Sequence, residues 1–330
     1  MRKMVYLLVG VLILLVGCQE EAQDHDEDVN EQEEKKTKSI DETEINEEDI
    51  ISVEDFDLPD RTKGFFWTGT DGKNQFHFLG TMHIGTEDMY PFEEDIESAL
   101  ENSDFLLVEK HFSEDEQDLT QEYFYYPNGE TLEDHMPEEL VDSIRDYSTK
   151  IKARFGQLNS MKPYALSKRI INYEIGKKGL TSDYSVEEYL TKTKPKNTEI
   201  IGLEGRERYE LIHNQPDDYY AYMLEQTIDN MDKQINEGIK SFAGYRLGDE
   251  SMLTDIKRTV DSNSENQKYE QMYIDNMMVK RDQMMADRIA EISNEYSGKN
   301  FFVAVGTAHF FNEGNVLELL KDKGFEIERN

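Results

Sequence analysis

Gly80-Thr81-Met82-His83 and Gly306-Thr307-Ala308-His309 share one pattern, Gly-x-x-His, and lie far apart in the chain. Each follows a short apolar run, Phe76-His77-Phe78-Leu79 in the first case and Phe301-Phe302-Val303-Ala304-Val305 in the second. Runs of this length, rich in β-formers and bounded by glycine, read as strands. Two strands ending in the same Gly-x-x-His put two imidazoles, both potential metal ligands, on one rim of a sheet.

Working outward, Phe65-Phe66-Trp67-Thr68 and Gln75–Leu79 flank an Asp71-Gly72 turn, which reads as a β-hairpin. Pro91 opens an amphipathic pattern with Ile96, Ala99 and Leu100 on one face, predicting a helix over 91–102. Phe105-Leu106-Leu107-Val108-Glu109 follows, and strand, helix, strand makes a parallel βαβ unit. A third apolar run, 199–204, ends on Glu204. Residues 113–194 and 217–293 read as mainly helical, with a capping-box start at Ser185-Val186-Glu187-Glu188 and one long helix over 266–293. The methionines of that helix read as adaptable core filler. A last helix around 316–320 and an edge strand at 324–327 close the chain. The predicted class is α/β, with a mixed, largely parallel central sheet and two large helical insertions.

Four predicted strands therefore end in His83, Glu109, Glu204 and His309. Ligand sites of open α/β sheets form beyond the carboxyl ends of the strands. One histidine in such a place is more often a satisfied structural residue, but four coincident endings favour a site. Two imidazoles with one or two carboxylates suit Zn²⁺, Mn²⁺, Co²⁺ or Fe²⁺, and three protein ligands leave a position open for water. A carboxylate that does not ligate can take that water's proton. The glycine before each histidine is expected to permit a tight backbone turn. His25, His77, His111, His135 and His213 lack strand-end context, and no His-Glu-x-x-His, Gly-x-Ser-x-Gly or phosphate-binding glycine loop is present.

The chain has 330 residues and a formal net charge of −35. Arg2 and Lys3 precede an apolar run from Met4 to Val16, of the length of a signal-peptide core. Leu15-Val16-Gly17-Cys18 resembles a bacterial lipobox, which implies cleavage of residues 1–17 and acylation of Cys18. Cys18 is the single cysteine, so no intramolecular disulfide and no cysteine nucleophile is expected. Residues 18–60 carry 19 Asp and Glu against 3 Lys and no periodic apolar pattern, the composition of a disordered, self-repelling tether. Such a tether reaches on the order of 40 Å. The folded domain is expected over 61–330, where 52 acidic against 31 basic residues argue against nucleic acid as a partner. The protein is thus expected outside the cytoplasm, lipid-anchored to the bacterial cell membrane.

Leu79-Gly80-Thr81-Met82-His83-Ile84-Gly85, Met89-Tyr90-Pro91, Leu107-Val108-Glu109, Gly202-Leu203-Glu204, Lys280-Arg281-Asp282-Gln283-Met284-Met285-Ala286 and Phe302 through His309 together resemble the ordered motifs of the TraB/PrgY/GumN superfamily, which includes the Tiki-type metalloproteases. The resemblance implies a fold shared with erythromycin-esterase and ChaN-like proteins and, for the Tiki branch, a peptidase using Mn²⁺ or Co²⁺. By the same resemblance His83 and His309 are metal ligands or direct catalytic residues, and Glu109 and Glu204 divide ligand and general-base roles. Our working assignment makes Glu109 the third ligand and Glu204 the base. Arg281 partners the transition state or a substrate carboxylate, and Tyr90 matches a family position. The expected function is a surface-anchored metallopeptidase acting on an extracellular peptide or protein. The alternatives are a non-catalytic lipoprotein that sequesters a signalling peptide or a haem-like ligand, and hydrolysis of a non-peptide ester or lactone at the same site.

Overall fold

A strand as apolar as 301–305 needs partners on both edges and cover on both faces. The computed structural model, which describes residues 51–111, 119–127, 129–253, 260 and 264–330, provides both. Among these residues one sheet contains Phe66–Thr70 (β1), Gln75–Thr81 (β2), Phe105–Val108 (β3), Glu199–Gly202 (β4), Asn300–Gly306 (β5) and Glu326–Arg329 (β6). The strand order is β4-β3-β5-β2-β1-β6. β4, β3, β5 and β2 are parallel neighbours, while β1 runs against both β2 and β6. The expected α/β class, hairpin and edge strand are all present.

β5 is central, and Phe301 through Val305 are fully buried. Burying one large apolar side chain is worth roughly 1.5–3 kcal/mol, so this strand is a main source of cohesion. Phe301 stacks on Phe76 of β2 and Phe105 of β3, with ring centroids 4.9 and 5.1 Å apart. Helices Glu94–Glu101, Met231–Leu247, Lys280–Glu295 and Val316–Asp322 supply Ile96, Phe242, Ile289 and Leu320 to the same core.

The helical insertions form a second apolar cluster, in which helices Glu138–Lys150, Pro163–Gly176 and Asp217–Asp229 pack through residues such as Ile144, Leu166 and Leu224. Ala308, the neighbour of His309, joins this second cluster, while Val305 belongs to the sheet core. The end of β5 therefore lies at the seam between the two.

Two expectations are revised. The long helix is interrupted: Gln267–Ile274 and Lys280–Glu295 are α-helical, but Asp275–Val279 forms a π-turn. The tether boundary at residue 61 falls too late. Ser52 and Asp55 cap a 3₁₀ turn over Val53–Asp55, Ile51, Val53, Phe56 and Leu58 pack on the core, and the Ile51 amide donates to Asn236 Oδ1 at 2.9 Å. Acidic composition masked these four apolar residues. The proposed signal peptide, Cys18 and the tether to residue 50 lie outside the described residues. Among the described residues, no helix is long and apolar enough to cross a membrane.

Candidate active site

The order β4-β3-β5-β2 brings the four strand ends named above to one rim. β2 and β5 are paired so that Gly80 faces Val305 and Thr81 faces Gly306, which sets the two Gly-x-x-His segments side by side. Neither glycine makes a left-handed turn, contrary to expectation: Gly306 has φ −48°, and Gly80 is not among the positive-φ residues. Close approach explains Gly80 instead. A Cβ there would lie 2.8 Å from Thr307 Oγ1, and that hydroxyl donates to the Thr81 carbonyl at 3.0 Å. The Gly306 amide donates to Glu109 Oε1 at 2.8 Å, tying the end of β5 to the end of β3.

Glu109 and Glu204 follow adjacent parallel strands, and the Glu204 amide donates to the Glu109 carbonyl at 2.8 Å. Two buried like charges on neighbouring strand ends need paired cations. Arg281, fully buried, donates from Nε to Glu204 Oε1 at 2.6 Å and from Nη2 to Glu204 Oε2 at 2.7 Å and Glu109 Oε2 at 2.8 Å. Arg208 Nη1 donates to Glu204 Oε2 at 2.8 Å and to Glu109 Oε2 at 2.9 Å. Burial by itself would raise both carboxyls, but Arg281 and Arg208 overcome it. They hold Glu109 well below the usual carboxylate range, with His309 and His83 adding to the effect, and they hold Glu204 below it too. Both oxygens of Glu204 are thereby occupied.

The two histidines share one arrangement. His83, after β2, places Nδ1 2.7 Å from Glu187 Oε1, which also accepts from Thr81 Oγ1 at 2.5 Å. His309, in the turn Thr307–Phe310, places Nδ1 2.5 Å from Asp282 Oδ1. Burial pushes the Asp282 carboxyl up, against the pull of His309. In each ring Nε2 is buried without a hydrogen-bond partner. A carboxylate on one ring nitrogen and a bare second nitrogen is the arrangement of metal-binding histidines. His309 Nε2 also lies 3.9 Å from Glu109 Oε1.

A cavity of about 250 Å³ reaches this rim and is lined by His83, Glu109, Lys110, His111, Glu187 and Arg208, among others. Tyr90 is not part of the arginine–carboxylate network. Its hydroxyl donates to the Tyr184 carbonyl at 2.9 Å, and its ring stacks on Tyr189 at 3.9 Å. Burial, followed by the Glu187 charge, pushes its phenol up, so it stays protonated. Nearby, Lys168 Nζ is buried without a hydrogen-bond partner, and burial with the charges of Arg208 and Lys110 pulls its ammonium well below the ordinary lysine value.

The donor chemistry suits a divalent ion through His83 Nε2, His309 Nε2 and Glu109 Oε1. Among the described residues, however, no group of three or more His, Cys, Asp or Glu side chains is arranged as a metal-binding cluster. Glu109 Oε1 is instead turned to the Gly306 amide. Sequence reasoning missed Arg208, Asp282 and Glu187. Arg208 lies in the first turn of the helix Arg206–His213, just after Glu204 and the N-cap Gly205, and reaches back to the Glu204 carboxylate. Asp282 adjoins Arg281, and Glu187 was read only as part of a helix start.

The TraB/PrgY/gumN family model matches residues 65–329. The Escherichia coli (strain K12) protein named uncharacterized protein YbaP is 23% identical over 266 residues, covering 79% of this chain and 95% of that protein. Shorter matches link the chain to a metalloprotease TIKI homolog of Nematostella vectensis, 28% identical over 62 residues, and to metalloprotease TIKI2 of Xenopus tropicalis, 35% identical over 52 residues. These span 19% and 16% of this chain, and 13% and 10% of the respective relatives. No solved structure matches the chain significantly.

Proposed function

This chain belongs to the TraB/PrgY/gumN family, and from that premise we propose that it is a metal-dependent hydrolase that cleaves a peptide bond in an extracellular peptide or protein. The observation that carries the reading is the pair of buried, partnerless Nε2 atoms on His83 and His309, each in a ring whose Nδ1 is held by a carboxylate. A buried polar atom without a partner costs about 1–3 kcal/mol, and an ion at the rim would remove that cost. The hydrogen-bonded groups comprise four carboxylates, Glu109, Glu204, Glu187 and Asp282, with two guanidiniums, Arg208 and Arg281, and Lys110 stands on the cavity wall.

In this reading His83 and His309 would hold the ion through Nε2, with Glu109 Oε1 as the third donor; Mn²⁺ or Co²⁺ follows from the family resemblance, and Zn²⁺ would suit the same donors. When bound, such an ion supplies an acidified water and polarises a carbonyl. Glu204 accepts three hydrogen bonds from Arg281 and Arg208, and this reading gives it a structural role in place of the base. It holds the two arginines in place, and they keep Glu109 ionised. Arg281 is buried behind the carboxylates, so its effect on substrate is exerted through them. Tyr90, stacked on Tyr189 and bonded to the Tyr184 carbonyl, has no part in the reaction in this reading.

The test is calorimetric titration of the full chain with Mn²⁺, Co²⁺ and Zn²⁺ under anaerobic conditions, paired with an unbiased peptide-cleavage screen read by mass spectrometry. We expect about one ion per chain, with binding and cleavage both abolished by His309→Ala. Absence of ion binding in the wild type would sink the reading. The hydrogen bonds from Arg281 and Arg208 that hold both oxygens of Glu204 favour a second possibility, a non-catalytic peptide-binding protein. It is recognised in the same screen by peptides retained intact.

The attachment to a bacterial membrane through Cys18 belongs to the same proposal. Palmitate labelling of cells should mark the protein, and Cys18→Ser should abolish the label and release the chain from the membrane fraction. An unlabelled wild-type protein rules the anchor out.

A further inference from the structure

Glu204 and Glu109 each accept three hydrogen bonds, whereas Glu187 keeps one oxygen unpaired. Glu187 stands on a third element, the helix Val186–Thr193, whose start is fixed by Ser185 Oγ accepting from the Glu188 amide at 3.3 Å. Its two carboxylate oxygens are used differently. Oε1 takes His83 Nδ1 at 2.7 Å and the Thr81 hydroxyl at 2.5 Å, whereas Oε2 is buried and has no hydrogen-bond partner. His83, Glu109 and Glu187 line the same cavity of about 250 Å³.

Chemistry assigns the first use. The Thr81 hydroxyl also touches Oε1, and a carboxylate there can only accept, so His83 Nδ1 must carry a proton. A neutral ring protonated at Nδ1 is bare at Nε2, which is the form a metal or an acidic proton requires. The second use follows from the unpaired oxygen, which offers a full negative partner to a donor entering the cavity.

We propose that Glu187 is the positioning residue of this site, fixing His83 in the tautomer with a bare Nε2 through one oxygen and presenting the other as the cavity's acceptor for a bound water or a substrate N–H. The proposal rests on His83 being part of the site described above. The helix Val186–Thr193 thereby becomes a working wall of the site, and a displacement of that helix would release His83 and the acceptor together.

The experiment reads the tautomer directly, by ¹⁵N-detected imidazole NMR of the ion-free full chain at pH 8. The wild-type His83 ring should be protonated at Nδ1 alone. Glu187→Ala should give a mixture of tautomers, and Glu187→Gln, which keeps one acceptor oxygen, should retain the Nδ1–H form. Ion affinity should fall about 10- to 100-fold in Glu187→Ala and recover in part in Glu187→Gln. In Glu187→Gln, kcat should fall while ion binding is largely kept, because the second acceptor has become a donor. Lys192→Ala, on the same helix, is the control for general disturbance, and circular dichroism checks that each variant is folded. A wild-type His83 protonated at Nε2, or an unchanged ring in Glu187→Ala, overturns the proposal. Failure of the wild type to bind an ion overturns the hydrolase reading instead, and leaves the tautomer result to decide on Glu187.

Discussion

Arg281 is where the site's electrostatics concentrate. Its guanidinium spans two carboxylates with a bidentate contact to Glu204 and a single one to Glu109, all inside the protein. Removing it leaves two buried carboxylates with Arg208 alone, and breaking such a network costs about 3–5 kcal/mol. Arg281→Ala should therefore lower the unfolding free energy by about that amount in urea titration at pH 8. Arg281→Lys should recover little, since an ammonium cannot reproduce the planar fork. Adding Glu204→Gln to Arg281→Ala should restore part of the loss, because one uncompensated charge disappears, and the double-mutant cycle measures the coupling. A cost under about 1 kcal/mol for Arg281→Ala would mean that the network is not a structural element.

At the scale of elements, what the sequence exposed was strand identity and what it concealed was helix function. A buried parallel strand must be apolar, so β2, β3 and β5 could be read from composition, the half-buried edge strand β4 showed through its Ile200-Ile201 pair, and the residues after them followed as a set. Their order across the sheet could not be read, yet β4-β3-β5-β2 is what places Glu204, Glu109 and the two Gly-x-x-His segments on neighbouring ends. The residues that complete the site come from helices, where charged side chains are usually a solvated face, and so Arg208, Asp282 and Glu187 gave no local signal. The π-turn Asp275–Val279 was equally hidden, because its apolar spacing still passes for one long helix. It directly precedes Lys280–Glu295, whose buried Arg281 and Asp282 address different partners, the carboxylate pair and His309. Such turns shift the helical phase by a residue and recur at functional sites. Glycine was legible as important but for the wrong reason: Gly80 serves the contact with Thr307 instead of a turn.

For the molecule as a whole, a buried histidine should set the response to acid. His213 is enclosed by the rings of Tyr123, Phe124, Tyr164 and Tyr209 at centroid distances of 5.3, 5.6, 5.1 and 6.1 Å. Burial, reinforced by Lys168, Lys162 and Arg208, pushes its imidazole down to about 3 from an ordinary 6.5. Above pH 6.5 the ring is neutral in both the folded and unfolded chain, so it makes no pH-dependent contribution there. Below 6.5 the unfolded chain binds a proton that the folded one refuses, and stability falls by up to about 1.4 kcal/mol per pH unit until the folded ring itself titrates near 3. Glu109 and Glu204, whose folded values are depressed, act in the same direction but only from about 4.5 downward, as their stabilisation is lost on protonation. Across 6.5 to 4.5 His77, which burial also pushes down, acts in the same direction, while Asp282, which burial pushes up, acts against it, so His213 is read from the difference between wild type and variant. Urea unfolding at half-unit steps across it should show a falling stability in the wild type and a markedly flatter profile in His213→Phe, which keeps a ring among the four aromatics. The comparison concerns slopes, so a constant change in stability from the substitution does not affect it, and equal slopes in the two proteins would show that His213 is not the acid-sensitive group.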